Sequence, residues 1–463
     1  MSKQGMSSRV CPLVSELLTQ DSRSLPPGLK MVGNHVPAAQ PISFDRYYDP
    51  AFAKLEMERM WMKTWQFACR EEDIPEIGDR VPYDVGSGLS LIIVRSGPRE
   101  FRALYNSCRH RGTRLVNAPS SGTSIRCPFH GWEWNPSGEL KHVPCEWDFD
   151  GISKTSHSLP QVQVDTWEGF IFVNPDPNSK PLKDSLGILP QAFEGRGHGQ
   201  RYTVAHVSKK LRANWKTVLE AFLEAYHVVE THSDALPFTG DTCTAYDIWE
   251  SDEGHVSRLI TPSAVPSAHL GDNASAQVAA DGVAMFFSMA APGVPMPKFD
   301  ASNGNARSQL ADWRRAFMGQ ALGLDLSDRC DSEMIDSTQY HLFPNFGVWF
   351  GDGLPLIYQF LPYGEDPNES IFNVRLTAPL PGNGIRPPSA KINHLDFDDY
   401  FSDKAPEFGP LSHVFDQDMS NIPNIQKGMR TAPKGATKAT LGRYQEQRIQ
   451  YFQNTLSRVL GLE

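Results

Sequence analysis

A chain of 463 residues is too long for one ordinary hydrophobic core, and its 40% hydrophobic and 10% aromatic residues are enough to fill two. The formal net charge of −10 excludes a general binder of nucleic acid or anionic membrane, because there is no basic excess to release counterions. No stretch approaches 18 uninterrupted apolar residues and Met1–Leu18 lacks a long apolar run, so a cytoplasmic protein without membrane contact is expected.

In chain order, residues 1–45 read as a polar, loose arm with Pro26-Pro27 and no clear period. Within 46–65, Phe52, Leu55, Met60, Met62 and Trp65 recur at helical spacing behind Asp49-Pro50, which predicts a helix starting there. Residues 66–175 have the texture of short strands, such as Ser90–Val94 and Gly169–Val173, bounded by Gly, Pro, Asp and Ser turns. After a connector at Pro175–Ser179, a long helical pattern runs from about Asn214 to Glu230. An Ala-, Gly-, Ser- and Pro-rich stretch over 236–300 reads as irregular. Strands are predicted again within 345–376, and a closing helix near 443–460, where Tyr444, Ile449, Phe452, Leu456 and Leu460 form an apolar stripe. The predicted class is α+β, with a small all-β domain set beside a larger domain.

Two clusters of metal-ligand residues stand out. Cys108-Arg109-His110 is followed, after residues 111–126, by Cys127-Pro128-Phe129-His130. Two mixed Cys/His pairs suit a [2Fe–2S] cluster in which one iron takes both sulfurs and the other both imidazoles, a replacement that raises the reduction potential. A tetrahedral zinc also uses Cys2His2, but zinc modules group like ligands, which disfavours zinc here. Seven cysteines is an odd count spread over a long chain, unlike a disulfide framework. Cys11, Cys69, Cys145, Cys243 and Cys330 have no partner at ligand spacing and read as core or surface thiols. The second cluster is Glu224, His227 and His232, on the segment led by Asn214-Trp215-Lys216. Histidines five apart do not share a face of an ideal helix, so the helix must end or bulge, with Val228-Val229 a plausible weak point. Two imidazoles and a carboxylate on one face, with open positions opposite, is the arrangement of non-haem Fe(II) sites that bind O2.

Cys108-Arg109-His110-Arg111-Gly112 and Cys127-Pro128-Phe129-His130-Gly131-Trp132 closely resemble the two cluster-binding loops of Rieske proteins, specifically those of the ring-hydroxylating oxygenases. Gly112 and Gly131 would permit the close backbone approach that places N–H donors on the sulfides. Asn214-Trp215-Lys216 followed by Glu224-x-Tyr226-His227-x4-His232 is similar to the mononuclear iron motif of the same family. The resemblance implies a Rieske domain over 66–175 beside a catalytic domain formed by 46–65 and 176–463, with an antiparallel sheet flanked by helices (helix-grip or START-like). It implies Cys108, His110, Cys127 and His130 as cluster ligands, and His227 and His232 as iron ligands. The third iron ligand it points to is Asp418, with Asp416 as the fallback and Gln417 a departure from the commoner Glu-Asp form; Glu230 would be strained. Glu224 is expected to bridge an iron histidine to the cluster of a neighbouring subunit.

The implied cofactors are a Rieske [2Fe–2S] cluster and a mononuclear Fe(II). The implied partners are O2, a small hydrophobic cyclic substrate, and a ferredoxin and/or an NAD(P)H-dependent reductase, since no G-x-G-x-x-G opens a helix here. The implied assembly is a homotrimer, with or without a small β-type subunit. The apolar segment Val283–Phe287, with Met289 and Met296, is expected to face substrate. Three further readings stay open: a family member acting on a quaternary amine or methoxy compound, a Rieske electron carrier without oxygenase activity, and a zinc-stabilised interaction protein, which would be colourless.

Overall fold

The structure, a computed structural model, describes residues 12–34, 40–251, 254–273, 275–290, 298–303 and 306–462. Cys11 and Met296 lie outside the described residues, as does the side chain of Met289. Strands β1 (Gln66–Arg70), β2 (Arg80–Val85), β3 (Leu89–Gly97) and β4 (Glu100–Tyr105) join β8 (Gln161–Trp167) and β9 (Phe170–Asn174) in a six-stranded sheet ordered β1-β9-β8-β4-β3-β2. Beside it, β5 (Ile125–Arg126), β6 (Glu133–Trp134) and β7 (Leu140–His142) form a small three-stranded sheet. Its core holds Ile92, Val94, Leu104, Trp132 and Trp134, together with Cys108 and Cys127.

The larger sheet has eight strands: β10 (Arg201–Leu211), β11 (Ala245–Ser251), β12 (Gly254–Thr261), β13 (Ser337–Leu342), β14 (Phe346–Phe350), β15 (Leu356–Pro362), β16 (Ser370–Pro379) and β17 (Asn393–Leu395). Their order is β11-β12-β13-β14-β15-β16-β10-β17, antiparallel throughout except where β17 runs parallel to β10. The helices that position the site are α1 (Pro50–Glu56), α2 (Trp215–Ala221), α3 (Val228–Thr231), α4 (Ala276–Ala290), α5 (Ala306–Leu322), α6 (Leu411–Thr431) and α7 (Gln447–Leu460), among further short helices such as Val14–Thr19 and Asp331–Ile335. Asp49 caps α1 by accepting from Ala51 N, as the Asp-Pro start signal predicts.

The two sheets are tied through buried polar side chains. Asn345 exchanges two hydrogen bonds with the Phe67 backbone, at 3.0 and 3.2 Å, and Gln359 Nε2 donates to Phe67 O and Ala68 O. Each satisfies β1 backbone groups that no strand reaches, so β1 is fixed on the larger sheet.

Three expectations need correction. Residues 12–34 are not loose: Val14 and Leu29 are buried, and Gly33 N donates to Asp247 Oδ1. The two buried residues belong to two short helices, Val14–Thr19 and Pro27–Lys30, too short to leave a period to read. The stretch 236–300 is not irregular, since it contains β11, β12 and α4. Strand β11 reads as polar because Asp247 is buried against its cross-strand partner Arg258 in an ion pair, so both faces of the strand are covered. In α4, Gly282 hides the helical pattern; a Cβ there would lie 2.5 Å from the Phe238 ring. Cys243 is disulfide-bonded rather than a free thiol, a pairing set by Cα separation in the fold and invisible to spacing. Cys69 and Cys330 are buried free thiols, and Cys145 is exposed.

Helix α2 is clamped by buried charge. Lys216 Nζ lies 2.7 Å from Glu56 Oε1, and Trp215 Nε1 donates to Glu56 Oε2. One turn on, Glu220 accepts from Tyr47 Oη and Gln453 Nε2. Burial outweighs these donors and lifts the Glu220 carboxyl from 4.5 to about 7. The native state therefore keeps a proton that the unfolded chain has released, and stability falls as pH rises between these values. Glu220→Gln is expected to gain about 2 kcal/mol on the wild type between pH 5.5 and 8, measured by urea denaturation. Parallel pH curves would show that Glu220 is ionised in the fold.

Candidate active site

The cysteine and histidine loops share one design. Gly112 N donates to Cys108 O, and Gly131 N to Cys127 O; Cys108 N donates to Thr113 O, and Cys127 N to Trp132 O. Gly112 and Gly131 have φ of 76° and 77°, so each loop turns back through a left-handed residue, as glycine allows. The Cys108 and Cys127 side chains are buried, whereas His110 is half-buried and His130 exposed. The imidazoles lie 4.7 Å apart, with His110 stacked on Trp132 at 5.2 Å. Burial raises the Cys127 thiol, but the Phe129 and His130 N–H groups aimed at its sulfur bring it below the ordinary thiol range.

These four residues fit a two-iron cluster better than a single ion. The ligand atoms of a tetrahedral zinc lie within about 4 Å of one another. Among the described residues, one group of three or more His, Cys, Asp or Glu has ligand atoms within 4.8 Å, and it contains none of these four. Paired sulfurs inside, paired imidazoles at the surface and a wider span are what the cluster needs.

The group that does converge is His227, His232 and Asp418. Asp418 Oδ1 lies 3.0 Å from His232 Nε2 and 3.6 Å from His227 Nε2, and the two rings are 5.1 Å apart at 72°. On the far side, His227 Nδ1 meets Glu224 Oε1 at 2.6 Å and His232 Nδ1 meets Gln417 Oε1 at 2.8 Å. Each acceptor holds the proton on Nδ1, leaving both Nε2 lone pairs turned to the common point. Burial opposes charge on His227, but Glu224 and Asp418 outweigh it and raise its pKa to about 9, so a metal entering here displaces a proton.

The helix over 214–230 is interrupted, and the break precedes His227 instead of falling at Val228-Val229. Helix α2 stops at Ala221; His227 and His232 then flank the single turn α3. Two amides that a continuous helix would bond to carbonyls are taken by side chains: Ala225 N donates to Tyr246 Oη, and His227 N to Glu224 Oε2. Asp418 arrives on α6, registered by Gln426, whose Oε1 accepts from Asn214 N and Thr217 Oγ1. Asp416, two residues away and so on the opposite side of α6, instead accepts from Phe401 N and Ser402 N. Glu230 is outside the cluster. The residue that spacing missed is Gln417, visible only as an amide where the related motif carries Glu.

The cluster opens on a cavity of about 400 Å³, lined mainly by apolar groups that include Phe222, Leu356, Tyr358 and Phe415. Val283, Met285, Phe286 and Phe287 of α4 form part of its wall, where the apolar segment was expected. No described helix is long and apolar enough to cross a membrane.

Residues 64–159 match the Rieske [2Fe-2S] domain, and 196–462 match the ring hydroxylating alpha subunit (catalytic domain). The chain belongs to the family of Rieske ring-hydroxylating α subunits. Over 199 residues it is 32% identical to the anthranilate 1,2-dioxygenase large subunit of Acinetobacter baylyi, covering 41% of this chain and 42% of that one. Over 214 residues it is 28% identical to the carnitine monooxygenase oxygenase subunit of Escherichia coli, covering 45% and 55%. The chain thus spans about half the length of these curated relatives. Its fold is similar to a quaternary ammonium Rieske monooxygenase in complex with L-carnitine (TM-score 0.60, 15% identity, 92% of this chain and 99% of that one). It is equally similar to naphthalene 1,2-dioxygenase with indole bound in the active site (TM-score 0.61, 19% identity, 94% and 95%). The cofactors of these two domains are a Rieske cluster and a mononuclear iron, and the donor sets described above fit both.

Proposed function

We propose that this chain is the terminal oxygenase component of a Rieske system, using O2 and electrons from NAD(P)H to hydroxylate or dihydroxylate an aromatic or other hydrophobic cyclic substrate. The observation that carries this reading is the convergence of His227, His232 and Asp418 at the wall of a largely apolar cavity. In this reading residues 66–175 form the electron-entry domain, and 46–65 with 176–463 form the catalytic domain. Cys108 and Cys127 hold one cluster iron, His110 and His130 the other, and His227, His232 and Asp418 the mononuclear iron. When bound, the two centres supply one-electron storage and O2 activation.

The chain's own groups prepare that chemistry. Glu224 and Gln417 hold the Nδ1 protons, so neither imidazole can present the wrong nitrogen. Asp418 adds the single negative charge, and the apolar wall keeps bulk water from the reacting face. Glu224 is half of an electron bridge, complete when it also accepts from His130 of the partner subunit in a head-to-tail trimer. A ferredoxin and/or reductase supplies the electrons.

The test is turnover under 18O2 with a ferredoxin, a reductase and NADH, screening aromatic and alicyclic compounds. Label is expected in the product, and its loss in His227→Ala and His232→Ala. A chain whose cluster cycles electrons, with iron at the second site, and which still consumes no O2 with any compound is an electron carrier.

A further inference from the structure

Several polar side chains of the eight-stranded sheet line the cavity, Thr261, Ser337, Gln339 and Tyr358 among them, and Gln339 is the one held from behind by a buried guanidinium. Along β13, Ser337 and Gln339 line the cavity, while Tyr340 points into the opposite core with Phe193 and Phe350. Gln339 sits opposite Leu259 on β12 and opposite Trp349 on β14, both also in the cavity wall. Behind it lies Arg448 of α7, wholly buried. The guanidinium donates to Ser257 Oγ at 3.0 Å, Leu223 O at 3.2 Å and Gln339 Oε1 at 3.0 Å. All three acceptors are uncharged, and among the described residues no carboxylate pairs with it. Burial lowers the Arg448 pKa to about 9, so the positive charge persists at neutral pH.

A guanidinium can only donate, so the Gln339 amide has one permitted orientation, with oxygen toward Arg448 and the NH2 turned away from it. That Nε2 meets no acceptor among the described residues, yet it is not among the polar atoms sealed from accessible space. On a residue only 2% exposed that lines the cavity, the accessible part faces the cavity.

We propose that Gln339, held by Arg448, makes this cavity selective for an uncharged ring bearing a hydrogen-bond-accepting oxygen, such as a carbonyl or ether. The proposal rests on the cavity being the substrate site. A plain hydrocarbon would expel the water from Nε2 and leave the amide unpaired. A quaternary ammonium offers Nε2 no acceptor and leaves the amide unpaired beside Arg448; any attraction it finds lies with Glu224, Asp234 and Asp418 elsewhere in the wall. A carboxylate would have to shed its water against a neutral amide, because no Lys or Arg among the described residues lines the cavity. An uncharged oxygen satisfies the donor without either penalty.

The test uses the iron-loaded full-length protein without O2 and four probes of similar shape: acetophenone, α-methylstyrene, benzoate and phenyltrimethylammonium. Dissociation constants are read by calorimetry. Acetophenone is expected to bind about tenfold tighter than α-methylstyrene and tighter than either ion. Gln339→Met should weaken acetophenone by about that factor and leave α-methylstyrene unchanged. Gln339→Glu supplies Arg448 with a carboxylate at the same place, which guards the fold, and removes the donor; it should erase the preference and improve phenyltrimethylammonium. Equal binding of acetophenone and α-methylstyrene, or tightest binding of benzoate or the cation, overturns the proposed class while leaving the oxygenase reading standing. Binding of no probe would also overturn the proposed class, while the oxygenase reading keeps its own test in turnover under 18O2.

Discussion

Asp418→Ala is expected to leave the cluster whole and strip the mononuclear iron, lowering its affinity at least about 100-fold and abolishing O2 consumption. Loss of an outer-shell partner alone costs up to that factor, and among the described residues Asp418 is the one carboxylate within reach of both imidazoles. Removing it leaves two neutral nitrogens, a set that binds Fe(II) weakly against water. The paired control is Asp416→Ala. Its carboxylate caps the Phe401–Lys404 turn, so about 1 kcal/mol of stability should go while the iron stays. Iron analysis and the EPR of a nitric oxide adduct separate the two variants. Iron retained by Asp418→Ala and lost by Asp416→Ala would reverse the assignment.

Glu224→Gln is expected to separate the two centres electrically without emptying either. Gln can still accept the His227 Nδ1 proton through its amide oxygen and forfeits only the His227 N contact made by Glu224 Oε2, so both cofactors should load. What the proposed head-to-tail assembly would lose is a charged acceptor able to hold two imidazole protons at once, one on His227 and one on a cluster histidine of the neighbouring subunit. Oxidation of a pre-reduced cluster in a single turnover should slow by about 100-fold or more, with cluster and iron signals unchanged. Glu224→Asp shortens the reach and should restore part of the rate. A variant that loses iron instead would mark Glu224 as a local support of His227.

Much of this site was legible before the structure because ligand chemistry leaves short, strict patterns. Cys-x-His and Cys-x-x-His, with Gly112 and Gly131 at the same offset from Cys108 and Cys127, announce two matching turns, and both glycines do adopt the left-handed backbone. The helix break was legible in kind and misplaced in position. A pair of histidines five apart demands a break, but its location depends on Tyr246 and Glu224 capturing Ala225 N and His227 N, contacts that no local pattern encodes. Gln417 was visible only as a departure, and its meaning needs the 2.8 Å contact with His232. Strand β11 and helix α4 were missed for related reasons. A buried Asp247–Arg258 pair makes a covered strand look exposed, and an Ala-rich helix with Gly282 against Phe238 has no polar face to contrast with an apolar one. Gln339 and Arg448 lie 109 residues apart in the chain and are joined only by the sheet and α7.

The most direct test of the account is anaerobic purification with iron, sulfide and zinc analysis, joined to EPR before and after dithionite. The account predicts a red-brown protein with about three irons and two labile sulfides per chain, whose reduced Rieske signal disappears in Cys108→Ser. A colourless protein carrying zinc would contradict it.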